Sequence, residues 1–445
     1  MARDPEKILD GLLTLARRQG ADAADALFAE NMSSGVSYRL GKLEDVERSE
    51  SAELGLRVFV GRRVAVVSSS DFSESALKAL PERALAMARL APEDAYAGLA
   101  PVDLLARAFP ELDLEDPGEP AAQTLVERAR AAEQAALGIR GVSNSEGGGA
   151  GFSRMGVALA TSGGFFGRYA GTSHSVGVAV LAGEGTAMER DYDHASARHA
   201  EDLPTPDAIG RSAGEKAVRR LHPRKVKSQN VPVVFDPREA ASLLRHFAGA
   251  ISGTSVARGT SFLRDRLGTP VFAPQVRVID DPHRPRGLRS KPFDGEGVAN
   301  TRRPLIDKGV LASWLLDCAT ARQLGLTSTG HAARGTASPP SPSATNLYME
   351  PGHQSPQELM AGIGQGFYVT ELMGMGVNPV TGDYSRGATG FWIENGELTF
   401  PVSEVTIAGN LKEMFLHLTP ASDLEFRYGT DAPTCRIEGL TIAGA

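Results

Sequence analysis

Cysteine is scarce in this chain. Only Cys318 and Cys435 occur among the 445 residues, and neither has a second thiol near it in sequence. A disulfide framework needs several paired cysteines and a cysteine-rich zinc site needs closely spaced ones, so both classes are excluded. Cys318 falls in the apolar pattern of Trp314 to Leu324 and Cys435 in a terminal strand. Each is therefore predicted to be a small, buried apolar side chain.

Long apolar runs and long basic runs are also missing. No stretch approaches the roughly 20 apolar residues that span a bilayer. The first residues include Arg3, Asp4, Glu6 and Lys7 and lack the apolar core of a signal peptide. The formal net charge of -7 argues against a nucleic-acid surface. We therefore expect a cytoplasmic protein that binds neither a membrane nor nucleic acid.

Common catalytic motifs are absent as well. None of the nine histidines is followed by glutamate, which a metalloprotease zinc helix requires, and no G-x-S-x-G turn occurs. Asp191, Asp193, His194 and His199 form a mixed acidic and histidine cluster. Such a cluster is more typical of a solvated loop than of a metal site. No motif in the sequence indicates catalysis by this chain alone.

Blocks of helical and strand patterns indicate an α+β fold with two domains. Helical spacing recurs near the N-terminus, in 71–90, in 121–137 and in 206–221, with glycine-separated strands between these blocks. We expect an N-terminal domain at 1–221, mixed in α and β structure, with an antiparallel sheet and flanking helices. The polar, basic segment 222–230 is the predicted linker, and 231–445 is the predicted β-rich C-terminal domain.

Glycine and proline refine this expectation. Gly35, Gly41 and Gly61 are predicted to lie in turns between short strands, and Glu146 to Gly149 is predicted to form a further turn. Pro81, within the helical block 71–90, predicts a kink or a break.

The segment from Gly382 to Leu411 carries the most informative local pattern. Aromatic and β-branched residues flank Asn395-Gly396, which predicts a β-hairpin. Pro401 cannot donate a ladder hydrogen bond, so its strand is predicted to lie at an edge or at a bulge, where an edge could receive another chain. Upstream, the loop Asp383-Tyr384-Ser385-Arg386 lies between two glycines. From the residues alone, a surface turn with an Asp383 to Arg386 ion pair is favoured over a functional loop.

Several separated motifs together resemble one family over nearly the whole chain. They agree in order with the TldD/PmbA family, and specifically with its PmbA (TldE) branch. The motifs are LGLRVFVGRRVAVVSSSD at 54–71, MERDYDHA at 188–195, LRHFAGAISGTSVARGTSFLRDRLG at 244–268, PFDGEGV at 292–298, LLDCATARQLGLTSTGHA at 315–332, the segment 369–414 and the final LTIAG.

The resemblance implies that a zinc site has been lost. In the TldD branch, the helix after the linker carries an HExxxH zinc motif, and a cysteine near the C-terminus completes the site. The matching positions here are Arg245, His246 and Ala250, so both histidines and the glutamate are replaced. Cys435 lies downstream of the position expected for the third ligand. The resemblance therefore implies no catalytic residue and no metal or other cofactor in this chain, with zinc expected in a TldD-like partner.

The resemblance also implies a partner and a substrate class. TldD-like and PmbA-like subunits pair as a heterodimer around a chamber that cleaves unfolded peptides, including a peptide antibiotic precursor and an antitoxin. We expect this chain to be the non-catalytic subunit, inactive alone. A stand-alone regulator of the gyrase-modulator type, acting by protein contact, and a homodimer stay open as alternatives. The candidates for the chamber or the subunit interface are Tyr384, Ser385, Arg386, Glu394, Asn395, Glu404 and Asn410.

Overall fold

The computed structural model describes residues 4–444 and confirms the predicted α+β class. The first half contains helices and strands in mixed order. Its elements are α1 (Pro5–Arg18), β1 (Ala23–Arg39), β2 (Lys42–Val60), β3 (Arg63–Ser69), α2 (Glu74–Leu90), α3 (Ala122–Leu137), β4 (Val142–Thr161), β5 (Phe166–Ala182), β6 (Glu189–Ala197) and α4 (Pro206–Arg219).

The six strands of the first half form one antiparallel sheet in the order β3-β2-β1-β4-β5-β6. Strand residues alternate between its two faces. Ala26 and Phe28 belong to a core shared with α1 and α2, and Val178 belongs to a core shared with α3 and α4. Leu27, between Ala26 and Phe28 in sequence, instead packs in a cluster with Phe293 from the second half. One face is therefore covered by helices and the other meets the rest of the chain.

The strands are longer than predicted, and several predicted turns are wrong. Gly35 lies inside β1, and the run from Glu146 to Gly149 lies inside β4. A Cβ atom at Gly148 would lie 2.3 Å from the carbonyl oxygen of Ala129 on α3. Glycine is needed there because a helix packs directly on the strand, and no turn is involved. Helix α2 also runs through Pro81 without a break.

The second half contains short helices and many short strands. Its elements are β7 (Gln229–Phe235), α5 (Pro237–Ala250), α6 (Gly253–Ala257), β8 (Val278–Asp280), β9 (Arg303–Asp307), β10 (Val310–Leu311), α7 (Cys318–Leu324), β11 (Ala332–Ala333), β12 (Ser341–Pro342), β13 (Leu347–Met349), α8 (Pro356–Met360), β14 (Gln365–Met373), β15 (Asp383–Glu394), β16 (Glu397–Asn410), α9 (Leu411–Leu416), β17 (Leu418–Pro420), β18 (Thr430–Asp431) and β19 (Cys435–Ala443).

The main sheet of the second half closes on itself. Its order is β16-β15-β14-β7-β19-β17, and an additional pairing of β16 with β19 joins the two sides into a ring. Strand β7 lies parallel to β14 and antiparallel to β19. Leu243, Leu244 and Phe247 of α5 are buried against this sheet in the largest hydrophobic cluster. The ring thus fixes the position of α5.

Buried charges join the two halves. The Asp25 carboxylate on β1 accepts hydrogen bonds from Arg57 Nε at 2.8 Å and from Arg334 Nη1 at 2.5 Å. Glu296 lies 3.5 Å from the same Arg57 guanidinium. These contacts join residues on either side of the predicted linker at 222–230. The division into two domains at this linker therefore stays a prediction. Within residues 4–444, no helix is long and apolar enough to cross a membrane.

Candidate functional site

Helix α5 presents the positions that match the zinc motif. It begins at Pro237, after the side chain of Asp236 accepts a hydrogen bond from the Arg238 amide at 3.0 Å and caps the first turn. The apolar side chains of Leu244 and Phe247 bury one face. Arg245, adjacent to Leu244 in sequence, lies at the exposed side of the same helix. The amphipathic pattern of the helix therefore sets which motif positions can reach a ligand.

The three motif positions do not fit a zinc ion. Arg245 presents a cation, Ala250 is buried and has no donor atom, and His246 supplies one imidazole. Cys435 is buried in β19, where its thiol donates to the Pro433 carbonyl at 3.3 Å, and burial raises the pKa of this thiol well above its usual range. No group of three or more potential metal ligands of the His, Cys, Asp or Glu type occurs among the described residues. The usual tetrahedral set of nitrogen and sulfur ligands is not assembled on this helix.

Strand β15 places two predicted site residues against α5. Tyr384 and Arg386 are two positions apart, so they lie on the same face of the strand. The Tyr384 ring meets the His246 ring edge to face, with centroids 6.3 Å apart. The Arg386 guanidinium donates to the carbonyl oxygens of Gly374 at 3.1 Å and Leu372 at 3.2 Å. The ring contact joins Tyr384 to His246, and Arg386, beside Tyr384 on the same strand face, acts on His246 through its charge.

This cluster of Tyr384, Arg386 and His246 contains buried polar atoms without partners. Tyr384 is 1% exposed, and its hydroxyl makes no well-formed hydrogen bond within residues 4–444, although the Arg386 guanidinium is near enough to counteract part of the effect of burial on its pKa. Nε2 of His246 has no hydrogen-bond partner there either. Buried polar groups are nearly always hydrogen-bonded in folded proteins, so two orphan atoms in one cluster require an explanation.

Positive charge dominates the electrostatics of this cluster. Desolvation, followed by the charges of Arg386 and Arg245, lowers the pKa of His246 to about 4. Desolvation also raises the pKa of the Tyr384 phenol well above its usual range. The imidazole is therefore neutral at pH 7, and the phenol keeps its proton. Both groups are available for neutral hydrogen bonding, and neither is an ionised ligand.

The other predicted site residues lie elsewhere. Ser385 points to the opposite side of β15 from its two neighbours, and its amide donates to the Gly376 carbonyl at 2.7 Å. Glu394 and Asn395 are at the hairpin turn. Glu404 has a positive φ of 56° at a register shift of β16 and lies 2.9 Å from Lys225. The structure does not gather these four residues around α5.

Asn410 has a structural role. Its side chain accepts from the Lys412 amide at 3.1 Å and so caps α9. Its Nδ2 donates to Thr381 O at 3.2 Å and to Asp383 Oδ1 at 3.0 Å. The predicted loop of Asp383 to Arg386 is wrong, because these residues are the start of β15. The predicted Asp383 to Arg386 ion pair does not form; Asp383 bonds Thr381 and Asn410 instead.

The hairpin itself is confirmed as β15 and β16, but its outer edge is not fully open. The carbonyl of Pro401 accepts from the amide of Arg224 at 2.8 Å, and Arg224 pairs with Val402 as an isolated parallel bridge. The predicted linker therefore occupies this part of the strand edge. The bulge expected near Pro401 is present, as the register shifts between its neighbours show.

A separate cleft of about 450 Å³ lies between the two halves. Here Asp191 accepts from Arg238 at 3.1 Å and from Arg220 at 3.3 Å, and Arg220 also lies 2.7 Å from Glu371. The 191–199 cluster was expected to be a solvated loop, but most of it is strand β6, and Asp191 is 3% exposed. These acidic residues hold the two halves together through arginines.

Two residues near α5 were missed at the level of sequence. Glu239 lies seven positions before His246 and so falls on the same helical face. Arg289, in the connection between β8 and β9, adds a positive charge that helps to lower the pKa of Arg245. Helical spacing could have indicated Glu239. Nothing in the local sequence indicates Arg289, since a long-range fold contact brings it there.

The chain combines a six-stranded antiparallel sheet in its first half with a closed sheet in its second half, and this defines a mixed α+β architecture with α5 packed on the closed sheet. Models of the PmbA/TldA metallopeptidase match this chain as domain 1 at residues 24–88, the central domain at 115–221 and the C-terminal domain at 228–444. The chain belongs to this PmbA/TldD family.

Relatives extend this result over the full length. The "Metalloprotease PmbA" of Escherichia coli O157:H7 is 39% identical over 427 residues, which cover 95% of this chain and 93% of that protein. A crystal structure from Bacteroides thetaiotaomicron, described as a candidate modulator of DNA gyrase, has a TM-score of 0.92 at 27% identity and covers 100% of both chains. TldE of Thermococcus kodakarensis shares the fold, with a TM-score of 0.86 at 22% identity over 98% of this chain and 99% of that one.

Proposed function

We propose that this chain is the non-catalytic subunit of a heterodimeric zinc metallopeptidase, paired with a TldD-like chain that carries the metal. The observation that carries the proposal is the replacement at Arg245, His246 and Ala250 on a helix that is otherwise well formed. A guanidinium and a methyl group cannot ligate zinc. The Escherichia coli relative is named a metalloprotease, which is compatible with a subunit whose partner supplies the catalytic site.

Peptide substrates follow from the same proposal. The proposed substrates are unfolded peptides, including an antibiotic precursor or an antitoxin. The proposed location of the heterodimer is the cytoplasm. This chain contributes part of the chamber wall near α5 and β15. The orphan hydroxyl of Tyr384 and the guanidinium of Arg386 support that placement, since both lie next to the altered motif.

The assay compares the purified chain alone, a TldD-like chain alone and the two mixed. We expect peptide cleavage and one equivalent of zinc only when the TldD-like chain is present, with a heterodimer in size-exclusion chromatography. Stoichiometric zinc and cleavage by this chain alone would refute the proposal. In the mixture, Arg386→Ala tests the role of the β15 side chain. Lost cleavage with an unchanged melting temperature indicates substrate handling, and lost solubility indicates that its bonds to Leu372 and Gly374 are structural.

A second candidate is a regulator that acts by protein contact. The description of the Bacteroides thetaiotaomicron structure as a candidate gyrase modulator favours it. The net charge of -7 disfavours direct DNA binding, so contact with gyrase itself would be required. Affinity purification separates the two candidates. Recovery of gyrase without a TldD-like chain supports the regulator, recovery of the TldD-like chain supports the peptidase subunit, and self-association alone supports a homodimer.

A further inference from the structure

Three arginines near the altered motif have no carboxylate partner. The Arg245 guanidinium makes no hydrogen bond and no ion pair within the described residues, although the backbone of Arg245 is part of α5. Arg386 donates only to carbonyl oxygens, and the Arg289 side chain donates to Thr430 Oγ1 at 3.4 Å. Thr430 lies in β18, which packs against α5, so Arg289 lies on the same side of the fold as Arg245. After desolvation, the charge of Glu239 acts most strongly on the pKa of Arg245 and raises it, and the charges of Arg386 and Arg289 lower it. The three positive charges therefore act on one another.

Arg220 and Arg286, in other parts of the described chain, are each compensated by several carboxylates. Arg220 lies within 4 Å of three carboxylates, those of Glu189, Asp191 and Glu371. Arg286 likewise meets three carboxylates on the surface. The three arginines beside α5, in contrast, meet no carboxylate within 4 Å in the described chain, and the one acidic side chain that acts on them is Glu239. Three guanidiniums against one carboxyl group leave an excess of positive charge, which raises the local concentration of anions.

The nearest acidic side chain does not resolve this imbalance. Glu239 makes no ion pair within 4 Å in the part of the chain that the structure describes. Burial raises its pKa, against the lowering effect of Arg238, Arg386 and Arg245. Behind the arginines, His246 Nε2 and the Tyr384 hydroxyl are buried and without partners. The site therefore has spare positive charge and spare hydrogen-bonding capacity in the same place.

We propose that Arg245, Arg289 and Arg386 form an anion site that binds a carboxylate of a peptide, backed by His246 and Tyr384. A guanidinium matches the planar geometry of a carboxylate and can bind it through two parallel hydrogen bonds. His246 and Tyr384 complete their hydrogen bonds to the anion through a bridging water. The choice of a peptide as the source of the carboxylate rests on the proposed function; the anion site itself does not.

The test uses the full chain without any partner. Three acetylated hexapeptides of alanine and serine serve as probes: one with a free C-terminal carboxylate, one amidated, and one amidated with two internal glutamates. Binding is followed by NMR of labelled histidine rings, which number nine in this chain. The His246 signal is assigned by its loss in His246→Gln. We expect an acidic peptide to shift this signal and to raise the pKa of His246 above about 4, because the anion offsets the charges of Arg386 and Arg245.

Arg245→Gln is the main variant, since no partner in the described chain depends on its guanidinium. We expect it to weaken acidic-peptide binding about tenfold, the effect of losing one charge-assisted hydrogen bond. Arg18→Gln is the matched control, because Arg18 is an exposed arginine in the last turn of α1. It should leave binding unchanged. Thermal denaturation of both variants checks that the fold is intact.

Each outcome of the binding experiment either supports the anion site or refutes it. Binding by either acidic peptide supports the site, and the tighter of the two identifies a terminal or a side-chain carboxylate as the source. Equal binding by the neutral peptide, no binding by any peptide, or equal losses in Arg245→Gln and Arg18→Gln would overturn the proposal. Because no cleavage is measured, these results are independent of whether the TldD-like partner exists.

Discussion

Replacing Asp25 with asparagine tests whether buried charges couple the two halves. The Asp25 side chain is 1% exposed and lies between the guanidiniums of Arg57 and Arg334, which are 7% and 1% exposed. Nε and Nη2 of Arg334 already lack partners, so Asp25 is the only carboxylate that compensates this cation in the described chain. Asparagine preserves the volume but removes the charge and replaces one of the two accepting oxygens by an NH2 donor, which faces a guanidinium.

The expected cost follows from the geometry. Removing one partner of a buried ion pair typically destabilises a protein by about 3–5 kcal/mol, because an uncompensated buried charge remains. Glu296 lies 3.5 Å from Arg57 and offsets part of the loss on that side, but no acid replaces Asp25 beside Arg334. We therefore expect Asp25→Asn to lower the free energy of unfolding by about 3 kcal/mol or more at pH 7.

The same pair predicts a dependence on pH. Burial alone would raise the pKa of Asp25, but Arg334 and Arg57 outweigh it and hold this pKa below its usual range. A lowered pKa in the folded state means that the stabilisation is present above about pH 4, the value for an unfolded aspartate. It is lost as the pH falls through the folded-state pKa. The difference between the wild type and Asp25→Asn should therefore shrink as the pH falls below about 4.

Urea denaturation measures both quantities. Far-UV circular dichroism follows both halves, and tryptophan fluorescence follows the second half, which contains Trp314 and Trp392. Agreement of the two probes checks that unfolding is a single transition. The control is Asp265→Asn, since Asp265 is 83% exposed in a pair with Arg264 and should cost about 1 kcal/mol at most. If Asp25→Asn costs no more than this control, the reasoning about buried charge is refuted.

Two further predictions concern packing and metal. Gly390→Ala should destabilise the second half by about 3 kcal/mol, because the added Cβ would lie 1.9 Å from the Tyr368 carbonyl oxygen. Gly249→Ala should instead stabilise α5 by up to about 1 kcal/mol, because a Cβ there meets no atom within 4 Å and alanine favours the helix. Urea denaturation measures both, and equal effects of the two substitutions would contradict the close contact. One equivalent of zinc should leave the melting temperature of the purified chain unchanged, because α5 lacks the ligands. A clear rise in thermal denaturation experiments would show that residues outside the motif bind metal.

Local sequence predicted the helices better than the strands. The 3.6-residue spacing of apolar side chains indicated α1, α3 and α4, and apolar packing then formed them. Much of β2 has exposed side chains on both faces from Lys42 to Ser51, so the strand carries no alternating pattern there. Its pairing with β1 holds it in place. Period-2 alternation cannot reveal a strand whose two faces are both solvated.

Glycine was the main source of error in the predicted sheet. At Gly148 the absence of a side chain lets α3 approach the strand, and at Gly210 it lets α3 and α4 approach each other, where a Cβ would lie 2.1 Å from the Ala132 carbonyl. A single sequence cannot distinguish a glycine that turns the chain from one that admits a neighbour. Gly41, predicted in a turn, does lie in one and has a positive φ of 80°.

The candidate site was predicted in part. The resemblance identified Arg245, His246 and Ala250, and the hairpin pattern drew attention to Tyr384 and Arg386, which the fold brings beside His246. The other five candidates lie away from His246 although they are close to Tyr384 in sequence. Ser385 is on the opposite face of β15, Glu394 and Asn395 are at the hairpin turn, Glu404 is at a bulge, and Asn410 caps α9.

The strand order of the second half has a consequence for synthesis on the ribosome. Strand β7 starts that half, yet it lies between β14 and β19, which lie more than 120 residues later in the chain. Its ladder cannot be completed until β19 has left the ribosome, so this half cannot finish folding before then. The first half pairs consecutive strands apart from the step from β1 to β4, and can form earlier. Its second face, which later meets Phe293, then stays exposed in the nascent chain until the second half folds onto it.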